Sequence, residues 1–423
     1  MLARILYYYA YHRYLGRYLI SSSRLKHHQA TQFNRLKKQA LIRSPFYKPF
    51  LNKPFTEWPM MDKQTLMAHF DEINTLGIKK EHALEIALKA EASRDFSPLI
   101  QDTAVGLSSG TSGNRGLFLA SSRERDIWAS LILAKAMPNG IWGKERIAFF
   151  LRANNQLYTT LNKNKKIEFH FFDLLQELES HFDRLNRLQP TILSAPASVL
   201  RLLAHYKRRL NIAPKKIISV AEVLEADDET LIKEAFKQPV SQIYQCTEGL
   251  LALSDRFSNR LLMNDEFLII EKEWLDEKRF IPIITDLYRS TQPIIRYRLD
   301  DVLIHKPSEN VFTELQGIEG RQGDVCYGVQ NNHKKIPLFA DVIRQHMAQC
   351  LVEFEDYGII QTTKDEFILQ IAPESLDKQK LIHHLNELFE RYHCSKPNWV
   401  FQPLPSRALT AKRRRIISSW NHE

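Results

Sequence analysis

Apolar positions recur at helical spacing through most of the first hundred residues, which predicts a helical N-terminal region. The opening run MLARILYYYAYHRYLGRYLI reads as one amphipathic helix, with Arg13 and Arg17 four residues apart and tyrosine or aliphatic side chains over most of the rest. Packing on the body of the protein is the expected role of such a helix; docking of a partner and weak contact with a membrane surface are the alternatives. The next helical stretch, RLKKQALIRSPFYKPFL, breaks at Ser44 and Pro45, and another helix restarts after Pro59, where Asp62 is placed to cap it. Beyond residue 100 the pattern changes. RIAFFLR, TILSAP, KIISVAEV and SQIYQC are short apolar runs of strand type, whereas ASVLRLLAHYKRR and DDETLIKEAF carry helical spacing. This alternation predicts an α/β fold, and no fixed-period repeat or low-complexity tract interrupts it.

With 423 residues and 44% hydrophobic side chains, the chain can fill about two to three globular cores. Cys246, Cys326, Cys350 and Cys394 stand singly, without the paired spacing of a zinc site or the density of a disulfide scaffold, which fits reduced thiols and a cytoplasmic location. No stretch approaches the roughly eighteen apolar residues of a membrane span, and no signal-peptide order opens the chain. The formal charge of +10 is concentrated in residues 1–60, where eleven Lys/Arg face Glu57 alone, so the remainder is close to neutral. A nucleic-acid groove over the body is thereby disfavoured, and the basic segment suits an acidic partner instead.

The segment VGLSSGTSGNRGLFL, residues 105–119, runs from an apolar strand into a loop that interleaves glycine with hydroxyl residues. Gly110, Gly113 and Gly116 allow close backbone approach to an anion, and Ser108, Ser109, Thr111 and Ser112 add donors to the main-chain N–H groups. Without a GK[ST] ending it is not a Walker loop. On these residues alone, a phosphate cradle and a Gly/Ser-rich surface turn both remain open.

SSGTSGNRG resembles the phosphate-binding signature of the adenylate-forming superfamily, which includes acyl-CoA synthetases, peptide-synthetase adenylation domains and luciferases. IYQCTEG (243–249) resembles that family's Tyr-Gly-x-Thr-Glu segment, IIRYRLDD (294–301) its Tyr-Arg-x-Gly-Asp segment, and EGRQGDV (319–325) its Gly-Arg-x-Asp-Asp segment, all in family order. The flanks RSPFYKPF, PMMDKQTLM, SAPASVLRLLA, VAEVLE and KRRRII are similar to the phenylacetate-CoA ligase branch. Five positions depart from the family pattern: Arg115 replaces a proline, Gln245, Asp300 and Ala411 replace glycines, and Gly323 replaces an aspartate.

The resemblance implies a large N-terminal domain, residues 1–320, built of α/β subdomains behind the basic helical region 1–100. A small mobile α+β domain, 321–423, would turn about Asp324 and carry the catalytic Lys412, with Arg415 following. It further implies that ATP is held by Ser108, Ser109, Gly110, Thr111, Ser112 and Gly113 at its β- and γ-phosphates and by Thr247 at the α-phosphate. Glu248 would bind Mg²⁺, Tyr244 with Ala221 and Glu222 would line the adenine pocket, and Asp301 and Arg321 would reach the ribose side. The acid pocket would draw on the stretch IAFFLRANNQLYTTL with 194–198 and 219–223, and Phe149, Phe150 and Tyr158 suggest a planar aromatic acid. The expected function is ATP-dependent activation of a carboxylic acid to an acyl-adenylate, then transfer to CoA or a phosphopantetheinyl carrier protein. Transfer to an amine or hydroxyl, and a non-catalytic nucleotide binder, are the alternatives.

Overall fold

The computed structural model describes residues 2–108, 115–151, 166–352, 354–373, 377–405 and 413–420. Two compact units divide the chain: Met1–Leu299 with Ile304–Gly317, and Asp300–Leu303 with Ile318–Glu423.

In the first unit the N-terminal run forms α1 (Leu2–Tyr18) and α2 (Ser22–Gln39), the latter capped by the Ser21 hydroxyl. α2 ends at Gln39, short of the predicted break at Ser44, because Leu41–Arg43 tightens into a 3₁₀ turn. Asp62 does cap α3 (Lys63–Ala68), accepting the Thr65 N–H at 2.7 Å. After α4 (Lys80–Ser93) an antiparallel hairpin, β1 (Thr103–Leu107) and β2 (Leu117–Ser121), leads into α5 (Ser122–Lys135), where Ser121 and Glu124 form a capping box.

Five parallel strands follow: β3 (Glu145–Leu151), β4 (Ile167–Asp173), β5 (Ile192–Ala195), β6 (Lys216–Val220) and β7 (Val240–Cys246). They lie in the order β4-β3-β5-β6-β7, and β7 turns back antiparallel into β8 (Gly249–Ser254). The helices α6 (Ala197–His205) and α7 (Ala226–Phe236) make the crossovers expected of parallel pairing. Leu261–Met263 and the longer antiparallel strands Leu268–Trp274 and Arg279–Asp286 extend the same sheet. The fold is α/β, as the alternation predicts.

α1 packs on α5. Ile5, Tyr8, His12 and Leu15 are buried, Arg4 pairs with Asp126 at 2.5 Å, and the Tyr8 hydroxyl accepts from Arg123. His12 Nε2 lies 3.1 Å from Ser130 Oγ and its ring meets Phe267 edge-on. Burial, helped by the nearby Lys135 charge, pushes the His12 pKa down to about 3. The unfolded chain takes up this proton near pH 6.5 and the folded chain does not, so this contribution is full above pH 6.5 and declines as pH falls toward 3. Denaturant unfolding at pH 7 and pH 5 is expected to show wild type losing up to about 1.4 kcal/mol per pH unit more than His12→Gln. Equal losses would place the pH sensitivity elsewhere.

In the second unit a four-stranded sheet runs Asn398–Pro403, Glu366–Ala372, Asp356–Gln361, Ile416–Ser418, beside the two-stranded ribbon Cys326–Val329 with Lys335–Leu338. Helices α8 (Ala340–Ala348) and α9 (Lys378–Arg391) place Ile343, Met347, Leu381, Leu385 and Phe389 in a core with Ile359, Phe367 and Leu369. Among the described residues no helix is long and apolar enough to cross a membrane.

Candidate active site

The hairpin brings both ends of the Gly/Ser loop together. Leu107 stands opposite Leu117, the Ser108 N–H donates to the Gly116 carbonyl at 2.8 Å, and the Gly116 N–H donates to Ser108 Oγ at 2.7 Å. Close packing demands glycine at position 106, where a Cβ would fall 2.3 Å from the Phe118 ring. Ser109, Gly110, Thr111, Ser112 and Gly113 lie outside the described residues. Arg115, in the position of the family's proline, stiffens the loop exit in its own way. Its guanidinium spans the Glu91 carboxylate at 2.7 and 2.5 Å and its Nε–H donates to the Ser108 carbonyl.

β5, β6 and β7 end side by side, the edge at which open α/β sheets hold ligands. Ala195 pairs with Ser219 and Val220 with Ile243, which sets residues 194–198 beside 219–223 and puts Ala221 and Glu222 next along from the buried Tyr244. Ala221 takes the left-handed conformation at φ 65°, costing an L-residue about 1–2 kcal/mol, and turns the chain off the strand. Glu222 accepts the Ser198 N–H at 2.9 Å in the first turn of α6, so part of its carboxylate is engaged by the helix. The Ser219 hydroxyl is buried without a hydrogen-bond partner among the described residues. Gln245, another departure from the family pattern, marks a register shift between β7 and β8.

Two aromatic expectations separate here. Phe150 is fully buried, stacked on Phe172 at 4.7 Å and edge-on to His181. It belongs to the core and is withdrawn from the acid pocket, because strand alternation gives Phe149 the opposite face. Tyr158 lies outside the described residues.

Thr247 and Glu248 form the turn between β7 and β8. Thr247 Oγ1 donates to Glu248 Oε2 at 2.9 Å and the Tyr297 hydroxyl donates to Oε1 at 3.1 Å, orienting both carboxylate oxygens. The Thr247 carbonyl accepts from Nη1 of Arg289 at 2.5 Å. Arg289 is buried; its Nη2 reaches Gln292 Oε1 at 2.9 Å and the Leu119 carbonyl at 3.4 Å, and Gln292 in turn receives the Leu119 N–H at 3.0 Å. One buried arginine therefore ties the strand leaving the Gly/Ser loop to the Thr247–Glu248 turn.

The Arg289 turn has its own supports. Asp286 accepts the N–H groups of Tyr288 and Arg289, and burial pushes its carboxyl up to about 6. Glu124 accepts the N–H groups of Ser290 and Thr291 at 2.6 and 2.8 Å. Replacing Arg289 with methionine is expected to destabilise the first unit by about 3 kcal/mol in urea unfolding, since the acceptors it serves are left buried and unpaired. A change below about 0.5 kcal/mol would show that the tie is not structural.

In the second unit Arg321 Nε lies 3.7 Å from Asp301 Oδ1, joining the two expected ribose-side residues, while Arg298 of the first unit is held by Glu273. Asp324 is buried, accepts the Arg321 N–H at 2.6 Å and takes a bond from Arg414 Nε at 2.7 Å. Gly320, at φ 145°, leaves room for it; a Cβ there would sit 2.6 Å from Asp324 Oδ2. Arg413 and Arg415 both hold Asp356, at 2.6 and 3.0 Å. The three arginines of the KRRR run are thus anchored, and a solvated tail is overturned for them; Lys412 lies outside the described residues.

No protein-family model matches the chain. Over 130 residues it is 26% identical to Protein CapK of Staphylococcus aureus, a match that spans 30% of this chain and only 29% of that protein. Among solved structures it is similar to 2-hydroxyisobutyryl-CoA ligase in the postadenylation state, with a TM-score of 0.68 at 13% identity over 95% of this chain and 90% of the other. It is also similar to an acyl acid amido synthetase, with a TM-score of 0.57 at 12% identity over 89% and 84% of the two chains. A third match is the anthranilate CoA ligase in complex with anthranoyl-AMP, with a TM-score of 0.51 at 12% identity over 74% and 66%.

The chain has the fold of the adenylate-forming ligases. In this adenylate-forming fold the Gly/Ser hairpin, the Ala221–Glu222 and Tyr244 strand ends and the Thr247–Glu248 turn all belong to the first unit. Asp301, Arg321, Asp324 and the anchored arginines belong to the second. Arg289, Gln292, Asp286 and Glu124 carry no local motif, and Tyr297, although it opens the Tyr-Arg-x-Gly-Asp-like segment, was likewise not among the site residues read from the sequence. For Arg289 and Gln292 the trace is a polar pair interrupting an apolar stretch, TDLYRSTQPII.

Proposed function

We propose that the chain activates a carboxylic acid with ATP, forming an acyl-adenylate and pyrophosphate, and then passes the acyl group to the thiol of CoA or of a phosphopantetheinyl carrier protein. The observation that carries this reading is the Glu248 carboxylate, oriented by Thr247 and Tyr297 at a turn tied through Arg289 to the exit of the Gly/Ser loop.

A carboxylate with both oxygens oriented and lone pairs to spare fits a hard cation, so Glu248 would hold Mg²⁺. Bound there, Mg²⁺ supplies charge neutralisation along the triphosphate. The chain's own part is positioning. The loop from Ser108 to Gly116 would hold the β- and γ-phosphates with Thr247 at the α-phosphate, Tyr244 would stack on adenine beside Ala221 and Glu222, and Asp301 with Arg321 would bind the ribose side. The acid oxygen attacks the α-phosphorus as the bond to pyrophosphate breaks, and Lys412 would neutralise charge shared by the acyl oxygen and the α-phosphate. In the second half-reaction the thiol sulfur attacks the acyl carbon, AMP leaves, and the thiol proton passes to solvent. The small domain turning about Asp324 would separate the two steps.

The buried, unspent Ser219 hydroxyl beside 194–198 supports an acid bound at the ends of β5 and β6. Phe149, on the face opposite Phe150, keeps an aryl acid in view. An amine acceptor is the second reading, favoured by likeness to the acyl acid amido synthetase.

Acid-dependent pyrophosphate release over a panel of carboxylic acids tests the first half-reaction, without and then with CoA. CoA-stimulated turnover with aryl acids is expected. Release stimulated by amines alone would shift the acceptor to the second reading, and no acid-dependent release across the panel would reduce the protein to a nucleotide binder.

A further inference from the structure

α1, α2, the 3₁₀ turn Leu41–Arg43 and the start of α5 enclose, with residues 287–290, a cavity of about 300 Å³. Arg35, Arg43 and Arg123 line it together with Tyr7, Tyr8 and Tyr11, and among the described residues no acidic side chain does. None of the three arginines is paired with a carboxylate among the described residues. Arg123 donates to the Tyr8 hydroxyl at 3.1 Å, Arg35 donates to Gln39 at 3.3 Å, and Arg43 has no side-chain partner there. The nearby acids are spent elsewhere: Asp126 on Arg4, and Glu124 on the backbone of Ser121, Ser290 and Thr291.

Three uncompensated guanidinium groups around one cavity repel each other and raise a positive potential, which a bound anion relieves. Their forked donors match a tetrahedral oxyanion, and three charges suit a dianion better than a single carboxylate. Tyr11 and Tyr288 hydroxyls lie 3.1 Å apart, so one hydrogen closes the pair and the other is free to donate onward. Four tyrosines among the lining residues, Tyr7, Tyr8, Tyr11 and Tyr288, suit a planar ring. The volume admits a phosphate with one ring system.

The geometry points to a second ligand site, formed by the basic N-terminal helices, for a phosphate dianion carried on a planar ring. Its lining includes none of Thr247, Glu248 and Tyr244, so it is distinct from the proposed nucleotide site. It accounts for charge that the acid-activating chemistry does not use.

The test is calorimetric titration of the full chain at low salt with phenyl phosphate, inorganic phosphate and benzoate as separate probes. Phenyl phosphate is expected to bind at least roughly tenfold more tightly than the other two. The double substitution Arg35→Gln, Arg43→Gln should weaken it by roughly tenfold or more. Both side chains are exposed, so the variant should keep its melting temperature. Glu248→Ala should leave this binding unchanged. Binding indifferent to the arginine substitutions, or lost in Glu248→Ala, would overturn the proposal by placing the probe elsewhere. Inorganic phosphate binding as tightly as phenyl phosphate would overturn its ring component.

Discussion

Replacing Lys412 with alanine is expected to slow acid-dependent ATP–pyrophosphate exchange by roughly a thousandfold while thiol transfer from supplied acyl-adenylate stays within about tenfold of wild type. The asymmetry follows from the proposed role. An ammonium that neutralises charge shared between the acyl oxygen and the α-phosphate stabilises the adenylating transition state and has no part in the later attack of a thiol on the acyl carbon. The neighbouring residues make the experiment cleaner. Arg414 is held by Asp324, and Arg413 and Arg415 by Asp356, so the alanine variant retains the ion pairs that anchor its segment. Both rates are measured in one variant. Equal loss of the two would indicate a shared or structural role, and loss of neither would leave Lys412 outside the chemistry.

Glu248→Ala should lower the same exchange by roughly a hundredfold to a thousandfold, with only about 1–2 kcal/mol lost from folding stability. The carboxylate is half-buried at a turn, and its substitution forfeits the bonds from Thr247 and Tyr297 without opening a core cavity. Glu248→Gln keeps the shape and removes the charge, so its exchange should fall nearly as far and respond to raised Mg²⁺ by partial recovery. Tyr297→Phe deletes one orienting hydrogen bond and is expected to cost about tenfold. Near-normal exchange in Glu248→Ala, at any Mg²⁺ concentration, would remove Glu248 from the role of essential metal ligand.

Much of this site is legible in the chain itself because its chemistry is local. Thr247 and Glu248 are adjacent at one turn, and Ser108 to Gly116 is one loop, so their spacing survives any arrangement of the rest. Strand and helix types after residue 100 were equally legible, since apolar runs and helical spacing report burial on one face or both. The anchoring of Arg413, Arg414 and Arg415 was not, because a basic run near a terminus looks the same whether it is solvated or paired, and its acids stand 57 to 90 residues away.

By itself, then, the sequence determined the α/β order, the loop and turn that bear the proposed chemistry, and the concentration of positive charge in the first sixty residues. Tertiary structure alone decided that Phe150 belongs to the core, that Arg115 braces the loop through Glu91, and that Arg289 joins the Thr247 carbonyl to Leu119 across sequence separations of 42 and 170 residues. It also decided that three arginines of the N-terminal region and α5 line one cavity with no counter-charge among the described residues. The division has a physical cause: hydrophobic periodicity and turn chemistry act between near neighbours along the chain. The partner of a buried polar group is fixed only when packing brings distant segments within hydrogen-bonding reach.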